Sequence, residues 1–488
     1  MAMRFHIKIS ASGNSEHPVI HRFYVSSLEQ PTIPQPDITI IHLQINDHME
    51  RRKFLKTAGL FGAGITVLNF PVFGKNAPSN KVVLAFAGVN SRGNYLVECF
   101  GQHPNVEIAY LCDVEDGAIA KGLDKCKGFS KKPVVVKDIR KLVQQKDFDA
   151  LVVAMPDHWH TSAALLGSMN GKHVYVEKPG SHDPREAMLL AGLPAKYKTL
   201  VQLGNQRRSF PSLQQAVKEV RGGIIGRPYF GKAWYSNSRL PIGVGKKIPV
   251  PSTLDWELWQ GPAPRADYTD NLVHYNWHWH WNYGTGESCN NGTHEIDACR
   301  WFLDAEYPAE VQSMGGRLTH KDDWETPDTQ VSNFLFPGNK MISWEGRSSK
   351  TYQFEPSSRG FTIFAEGGTL VNLGGGDYTL YDPAGKKIKS INPSDKSDGT
   401  NTVSATGNLD LFHTGNFIES IQGKASLSSP VSEACKSILL CHLANVSLRS
   451  GKNLKVDPQT GRLTEKNEFW GRKYDPAFEK LITANETK

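Results

Sequence analysis

A short apolar run, Lys81-Val-Val-Leu-Ala-Phe-Ala87, leads directly into Gly88-Val-Asn-Ser-Arg-Gly93, and a helical pattern starts near Asn94. A buried strand, a glycine turn and a helix in that order are the context a dinucleotide-binding fingerprint needs. Gly88 suits the tight turn and Gly93 lets the helix pack close to the sheet. The helix N-terminus then offers N–H groups and a positive dipole end to a pyrophosphate. Asn90 stands where the fingerprint has its middle glycine. Asparagine tolerates a left-handed backbone better than most residues, but its side chain crowds the phosphate approach. Ser91 and Arg92 complete the turn. The next apolar run, Val106 to Cys112, ends in Asp113, 20 residues after Gly93. That spacing suits a carboxylate that accepts bonds from the adenosine ribose hydroxyls and repels a 2′-phosphate, favouring NAD over NADP.

Strands and helices keep alternating. Ala150–Ala154 and His173–Glu177 read as strands, and Leu200–Leu203 closes the run. Ligands of open parallel sheets sit at the carboxyl ends of the strands. Those ends carry Pro156, His158, His160, Glu177, Lys178, Gln206 and Arg207. The turns from Gly88 to Lys178 therefore supply the cofactor candidates: Gly88, Asn90, Ser91, Arg92, Gly93, Asp113, Pro156, His158, His160, Glu177 and Lys178.

The rest of the chain excludes other classes. Of the formal +7, residues 1–80 hold +3 and the remaining residues +4, too mild and dispersed for a nucleic-acid footprint. Seven scattered cysteines form no CxxC pair and read as buried thiols. Residues 50–56, Glu-Arg-Arg-Lys-Phe-Leu-Lys, precede an apolar stretch from Thr57 to Phe73, the pattern of an export signal. The pair Arg51-Arg52 resembles a twin-arginine signal, so a periplasmic or cell-envelope location is expected, with folded export after cofactor loading. Glycines and Pro71 interrupt the apolar stretch, so no stable membrane span is expected. Met49 is the expected start, with 1–48 a mis-called extension.

Together, the glycine turn, Pro156-Asp-His-Trp-His160, Glu177-Lys-Pro179, Gln202–Arg208 and Gly284–Asp297 resemble the glucose–fructose oxidoreductase / inositol dehydrogenase (Gfo/Idh/MocA) family. The resemblance runs from about Lys81 to residue 475. It implies an α/β Rossmann domain over 81–205 and an α+β substrate domain over 206–430 with a large, mostly antiparallel open sheet. Residues 431–488 then form a C-terminal helix and tail that pack back. It also implies NAD(P)-dependent oxidation of a sugar hydroxyl between the domains, and a homo-oligomer, dimer or tetramer. Lys178 and His294 match the two positions that flank the reacting hydroxyl. Asn290 stands where relatives place an aspartate, and an i, i+4 spacing on one helix would set it beside His294. Asparagine cannot raise a histidine's basicity as a carboxylate does.

The second half reads as short β-rich runs between turns: Val311–Leu318, Gln330–Phe336, Lys340–Trp344, Phe361–Ala365 and Thr369–Leu373. Helical patterns cover Asp410–Gln422 and Pro430–Ser450. The run His274-Tyr-Asn-Trp-His-Trp-His-Trp-Asn-Tyr283 offers aromatic faces for sugar rings. The substrate candidates are Arg207, Arg208, Trp277, His278, Tyr283 and Asp297. His278 and His280 alone do not make a metal site, and none is expected. Oxidation needs a base within reach of the hydroxyl. His294 is the natural one by intrinsic pKa, while Lys178 in a desolvated cleft would have a lowered pKa. Two alternatives stand beside a sugar oxidoreductase with tightly retained NAD. One is an NAD-dependent glycosidase working through a transient keto-sugar, and the other a non-catalytic sugar-binding protein.

Overall fold

The structure is a computed structural model that describes residues 81–349, 354–392 and 409–486. The expected export signal and the extension before it lie outside those residues.

Six parallel strands make the first sheet: β1 (Val82–Ala87), β2 (Val106–Cys112), β3 (Val134–Val136), β4 (Ala150–Val153), β5 (His173–Glu177) and β6 (Val201–Gly204). Their order is 3-2-1-4-5-6. Between them run helices α1 (Ser91–Gly101), α2 (Asp116–Lys125), α3 (Ile139–Leu142), α4 (Asp157–Met169) and α5 (Pro184–Tyr197). Both faces of the sheet are covered, which is why its strands are largely apolar. Leu84, Phe86, Ala150 and Val152 point into one core with Leu96 and Phe100 of α1. Ala85, Ala87, Leu151 and Val153 point into the other with Ala163 and Leu190. Helix α1 starts at Ser91, three residues before the expected Asn94.

After helix α6 (Pro211–Arg221), the second sheet has nine strands. They are β7 (Pro228–Ser236), β8 (Glu310–Gly316), β9 (Thr329–Phe336), β10 (Lys340–Arg347), β11 (Arg359–Ala365), β12 (Gly368–Asn372), β13 (Tyr378–Tyr381), β14 (Lys387–Ile391) and β15 (Leu454–Lys455). The order is 14-13-12-11-7-10-9-8-15, and every pairing is antiparallel except β7 with β10. Strand β9 alternates buried Gln330, Ser332, Phe334 and Phe336 with outward residues, as a half-covered sheet requires. Helices α7 (Trp256–Gln260), α8 (Gly286–Asn290) and α9 (Gly292–Leu303) precede β8. Helix α9 is buried along nearly its whole length against β7, β10 and β11.

Three helices close the chain: α10 (Leu409–Ile421), α11 (Val431–Ser450) and α12 (Pro476–Thr483). Phe417 and Ile418 of α10 enter the core of the first sheet. Helix α11 is buried along most of its length because it lies between α5 on one side and α9 and β8 on the other. It thereby fixes the two sheets around the space between them. Among the described residues no helix is long and apolar enough to cross a membrane.

Candidate active site

The carboxyl ends of β1, β2, β4 and β5 open into one cavity whose opposite wall comes from the segment 254–290. Gly88, Asn90, Ser91, Arg92, Asp113, Pro156, His160, Glu177 and Lys178 line it from the first half. Trp277, His278 and Asn290 line it from the second. Gly88 has φ +82°, and a Cβ there would stand 2.6 Å from the Ala154 carbonyl oxygen. Gly93 lies behind the wall rather than on it; a Cβ would stand 1.9 Å from the Gly88 oxygen. It sets how closely α1 approaches β1. Ser91 (φ 37°) is a second positive-φ position in the turn, whereas Asn90 is extended. The Asn90 side chain accepts a bond from Lys121 of α2 at 3.2 Å. Asp113 accepts from the Val89 N–H at 2.8 Å and the Glu115 N–H at 3.2 Å, so the first turn of each βα unit orients its carboxylate. Burial raises its pKa and those N–H bonds oppose the rise.

Glu177 and Lys178 are neighbours with separate partners. Glu177 accepts from Arg92 at 2.7 Å and from Gln206 at 3.2 Å. Arg92 also pairs with Asp410 at 2.7 Å, which brings α10 to the edge of the cavity. The Lys178 Nζ instead donates twice to Asn290, to its backbone oxygen at 2.7 Å and its side-chain oxygen at 2.9 Å. Burial lowers the pKa of Lys178, partly opposed by Glu177 and Asp157. With two hydrogens committed to Asn290, the remaining site on Nζ is a third N–H in the ammonium and a lone pair in the amine.

The chain breaks at Asn291 (φ −118°, ψ −40°), so Asn290 ends α8 and His294 belongs to α9. The expectation of one helix carrying both is corrected. The His294 N–H bonds to the Asn291 oxygen, and the Asn290 carbonyl, an orphan at a helix C-terminus, is taken by Lys178. Asn290 is therefore a partner of Lys178, not of His294. His294 is 5% exposed and is not among the residues that line the cavity; its Nδ1 is buried without a partner. Burial, Arg359, Lys178, Arg207 and Arg92 all push its pKa well down. Four cations around a buried imidazole make it a poor base.

Several other expected site residues are part of the framework. His158 donates from Nε2 to the Trp259 oxygen (2.9 Å) and packs edge-on against Tyr283 at 5.2 Å, behind the wall that Trp259 forms. Tyr283 is buried against Trp259 at 4.9 Å and does not reach the cavity. Arg208 binds Asp297 through two bonds of 2.6 and 2.7 Å, and Arg207 pairs with Glu295 at 3.0 Å. All four are buried in the interior, where a charge needs a partner, so neither arginine nor Asp297 faces the cavity. His160 does line it, but both nitrogens are engaged, Nε2 with the Met155 oxygen at 2.7 Å and Nδ1 with the Gly180 N–H at 3.3 Å. Burial pulls its pKa down to about 3. Of the aromatic run, Trp277 and His278 stack at 3.6 Å on the wall, while Trp279 is buried against Trp324 at 4.0 Å. Among the described residues no three His, Cys, Asp or Glu side chains converge in a way that could hold a metal ion.

The sequence reading missed Asp157, the first residue of α4 and part of the cavity wall. Burial pushes its pKa up to about 7, against a 2.6 Å bond from the Thr285 hydroxyl. It also missed Glu115, whose carboxylate meets the His274 ring at 3.0 Å across the cavity mouth. Asp157 stood inside a quoted motif, with only its type as a signal; the Glu115–His274 contact spans 159 residues and left none.

Residues 83–205 match the model of the oxidoreductase family's NAD-binding Rossmann fold, and residues 232–326 that of its C-terminal α/β domain. A glycosyl hydrolase family 109 protein of Solibacter usitatus is 29% identical over 206 residues, covering 39% of this chain and 47% of the relative. One from Shewanella baltica is 28% identical over 212 residues, 38% and 46% of the two chains. The chain thus spans about half the length of the curated relatives it matches. The WlbA dehydrogenase of Chromobacterium violaceum, solved with NADH and UDP-GlcNAcA, has the same fold (TM-score 0.59, 16% identity, 79% of this chain and 99% of that one). So has a levoglucosan dehydrogenase solved with NADH and levoglucosan (TM-score 0.59, 14% identity, 77% and 99%). The strand order, the glycine turn and both domain matches agree: the chain belongs to the Gfo/Idh/MocA oxidoreductase family.

Proposed function

We propose that this protein oxidises a hydroxyl of a sugar, sugar derivative or glycoside with a tightly retained NAD, and that Lys178 takes the hydroxyl proton. The observation that carries this reading is the Lys178–Asn290 contact at the wall of a cavity reached by the glycine turn, Asp113 and an aromatic face. The residues present fit a dinucleotide. The turn has no room for a Cβ at Gly88, and Asp113 has its oxygens oriented at the end of β2. Gly88, Asn90, Ser91 and Arg92 would hold the pyrophosphate, and Asp113 the ribose. Glu115 and Asp138 line the same cavity, and the added negative charge favours NAD over a 2′-phosphorylated cofactor. Bound there, the nicotinamide would supply the hydride acceptor.

The chain's own residues then have separate tasks. Trp277 and His278 offer a flat face to the apolar side of a sugar ring. His278 donates from Nδ1 to the Tyr275 oxygen at 2.6 Å, which leaves Nε2 as an acceptor for a hydroxyl. Asn290 holds the Lys178 Nζ in one orientation, and the lowered pKa of Lys178 enlarges its amine fraction. The amine accepts the hydroxyl proton on its free lone pair.

The family 109 relatives favour a second reading, cleavage of a glycoside through a transient keto-sugar, which uses the same first oxidation. Export by the twin-arginine route, proposed on residues 50–73, would require loading of the nucleotide before transport and agrees with tight retention.

Mass spectrometry of nucleotide released from the purified protein tests the cofactor. Incubation with a panel of glycosides, with the absorbance of reduced nicotinamide followed, tests the oxidation. Lys178→Ala is expected to lower that signal by about 10²–10⁴-fold while the nucleotide stays bound. A protein without nucleotide that binds NAD only at millimolar concentration overturns the proposal.

A further inference from the structure

One short helix holds two ionisable groups of the cavity. At its C-terminus, Asn290 binds the Lys178 Nζ. At its N-cap, Thr285 binds the carboxylate of Asp157 through its hydroxyl at 2.6 Å and through its backbone N–H. Thr285 is itself held, its carbonyl accepting from Asn445 of α11 at 2.8 Å. Helix α8 has five residues, so the two anchor points are separated by roughly 7 Å along its axis. Asp157 and Lys178 both line the cavity, and no ion pair within 4.0 Å joins Lys178 to any described carboxylate. Each group acts electrostatically on the other, Lys178 lowering the Asp157 pKa and Asp157 raising that of Lys178.

We propose that Asp157 is a positioning and relay residue for Lys178, receiving through a bridging water the proton that Lys178 takes from the reacting hydroxyl. This rests on the oxidation reading above. In the first step the substrate O–H bond breaks as an N–H bond forms on the Lys178 amine. In the second, an ammonium N–H bond breaks and an O–H bond forms on the Asp157 carboxylate, by exchange through the water. Lys178 returns to the amine, Asp157 is left as the neutral acid, and no electrons move in either step. The relay supplies a carboxylate to Lys178 from the first half of the chain, where Asn290 in the second half offers none.

The surroundings suit the task. Asp157 is 3% exposed, and burial pushes its pKa up to about 7, so it both accepts and releases a proton near neutrality. The charged groups that act on it are Lys178, which lowers that pKa, and Glu186 of α5, which raises it. The Cys289 thiol of α8 also faces it, and His160 on its own helix is held neutral with both nitrogens bonded.

Two measurements on the purified full-length protein test the relay without needing a substrate. Infrared titration is expected to show a protonated carboxyl band that disappears near pH 7, is absent in Asp157→Asn, and moves to higher pH in Thr285→Val and in Lys178→Met. Competitive acetylation of Lys178, quantified by mass spectrometry across pH, is expected to place half-labelling at lower pH in Asp157→Asn than in the wild type, because the carboxylate's favourable charge is gone. If Asp157→Asn does not fold, the Thr285→Val and Lys178→Met titrations carry the test. A wild type with no Asp157 band near pH 7, or a Lys178 labelling curve unchanged by Asp157→Asn, overturns the relay. Both expected shifts without turnover of any glycoside would establish the Asp157–Lys178 coupling and count against the oxidation reading on which the relay rests.

Discussion

The Lys178 Nζ donates to both carbonyl oxygens of Asn290, at 2.7 and 2.9 Å, although 112 residues separate the two. The contact exists because α8 stops at Asn290 and leaves a helix-end carbonyl without an intrahelical donor. An unbroken helix through His294 would have used that oxygen.

Asn290→Asp is expected to place a negative charge against the Lys178 nitrogen and raise its pKa by about 1–3 units. Because the amine is the proton-accepting form, the acidic limb of the pH–rate profile should move upward by the same amount. Turnover at neutral pH should fall about tenfold or more. Asn290→Ala keeps the backbone bond and should leave the position of the limb nearer to that of the wild type. The pH dependence of nicotinamide reduction in the three proteins checks this.

Arg208→Met should behave as a stability variant. It leaves the Asp297 carboxylate buried with the Ser437 hydroxyl at 2.6 Å but without its two-bond partner. The expected loss is about 3–5 kcal/mol. Urea unfolding should detect it, while retained nucleotide per folded molecule stays unchanged.

Gly88→Ala is expected to lose the nucleotide as well as stability. The new Cβ would meet the Ala154 oxygen at 2.6 Å in a backbone conformation that L residues rarely adopt. The strain and the displaced turn should cost on the order of 1–3 kcal/mol. Thermal melting together with nucleotide content by mass spectrometry distinguishes this from Arg208→Met, which should lower only the first.

Asp157 should also leave a signature in the pH dependence of stability. Its pKa rises from 3.8 to about 7 on folding, because burial disfavours the charged form. The folded protein therefore binds this proton more tightly than the unfolded chain. The resulting stability is complete below the ordinary carboxylate value and is lost as pH rises through about 7, at up to ~1.4 kcal/mol per pH unit. Asp157→Asn should remove that slope from the difference in urea midpoints between the two proteins.

Much of the first half was legible in one dimension. The runs that became β1 and β4 are apolar at every position, and those that became β2 and β5 largely so, because both faces of that sheet are covered. The glycine turn and Asp113 were readable for a related reason, since their work is done by backbone shape and strand-end position. Strand β7, at the centre of the second sheet, went unnoticed. Its burial follows no simple alternation, because it pairs with one parallel and one antiparallel neighbour and packs against α9.

By itself, the order of residues determined the two-part family architecture, the nucleotide-side wall of the cavity and the lysine at its edge, because those depend on local periodicity and on chain spacing within single βα units. Which polar side chains reach the cavity was decided only by the tertiary structure. Arg207, Arg208 and Asp297 are as polar as Lys178 and Asp157, yet they were drawn into the interior by buried opposite charges, while a break at Asn291 turned His294 away and delivered the Asn290 carbonyl to Lys178. A side chain's chemistry is local, but its partner is chosen by whichever burial cost the whole fold has to neutralise.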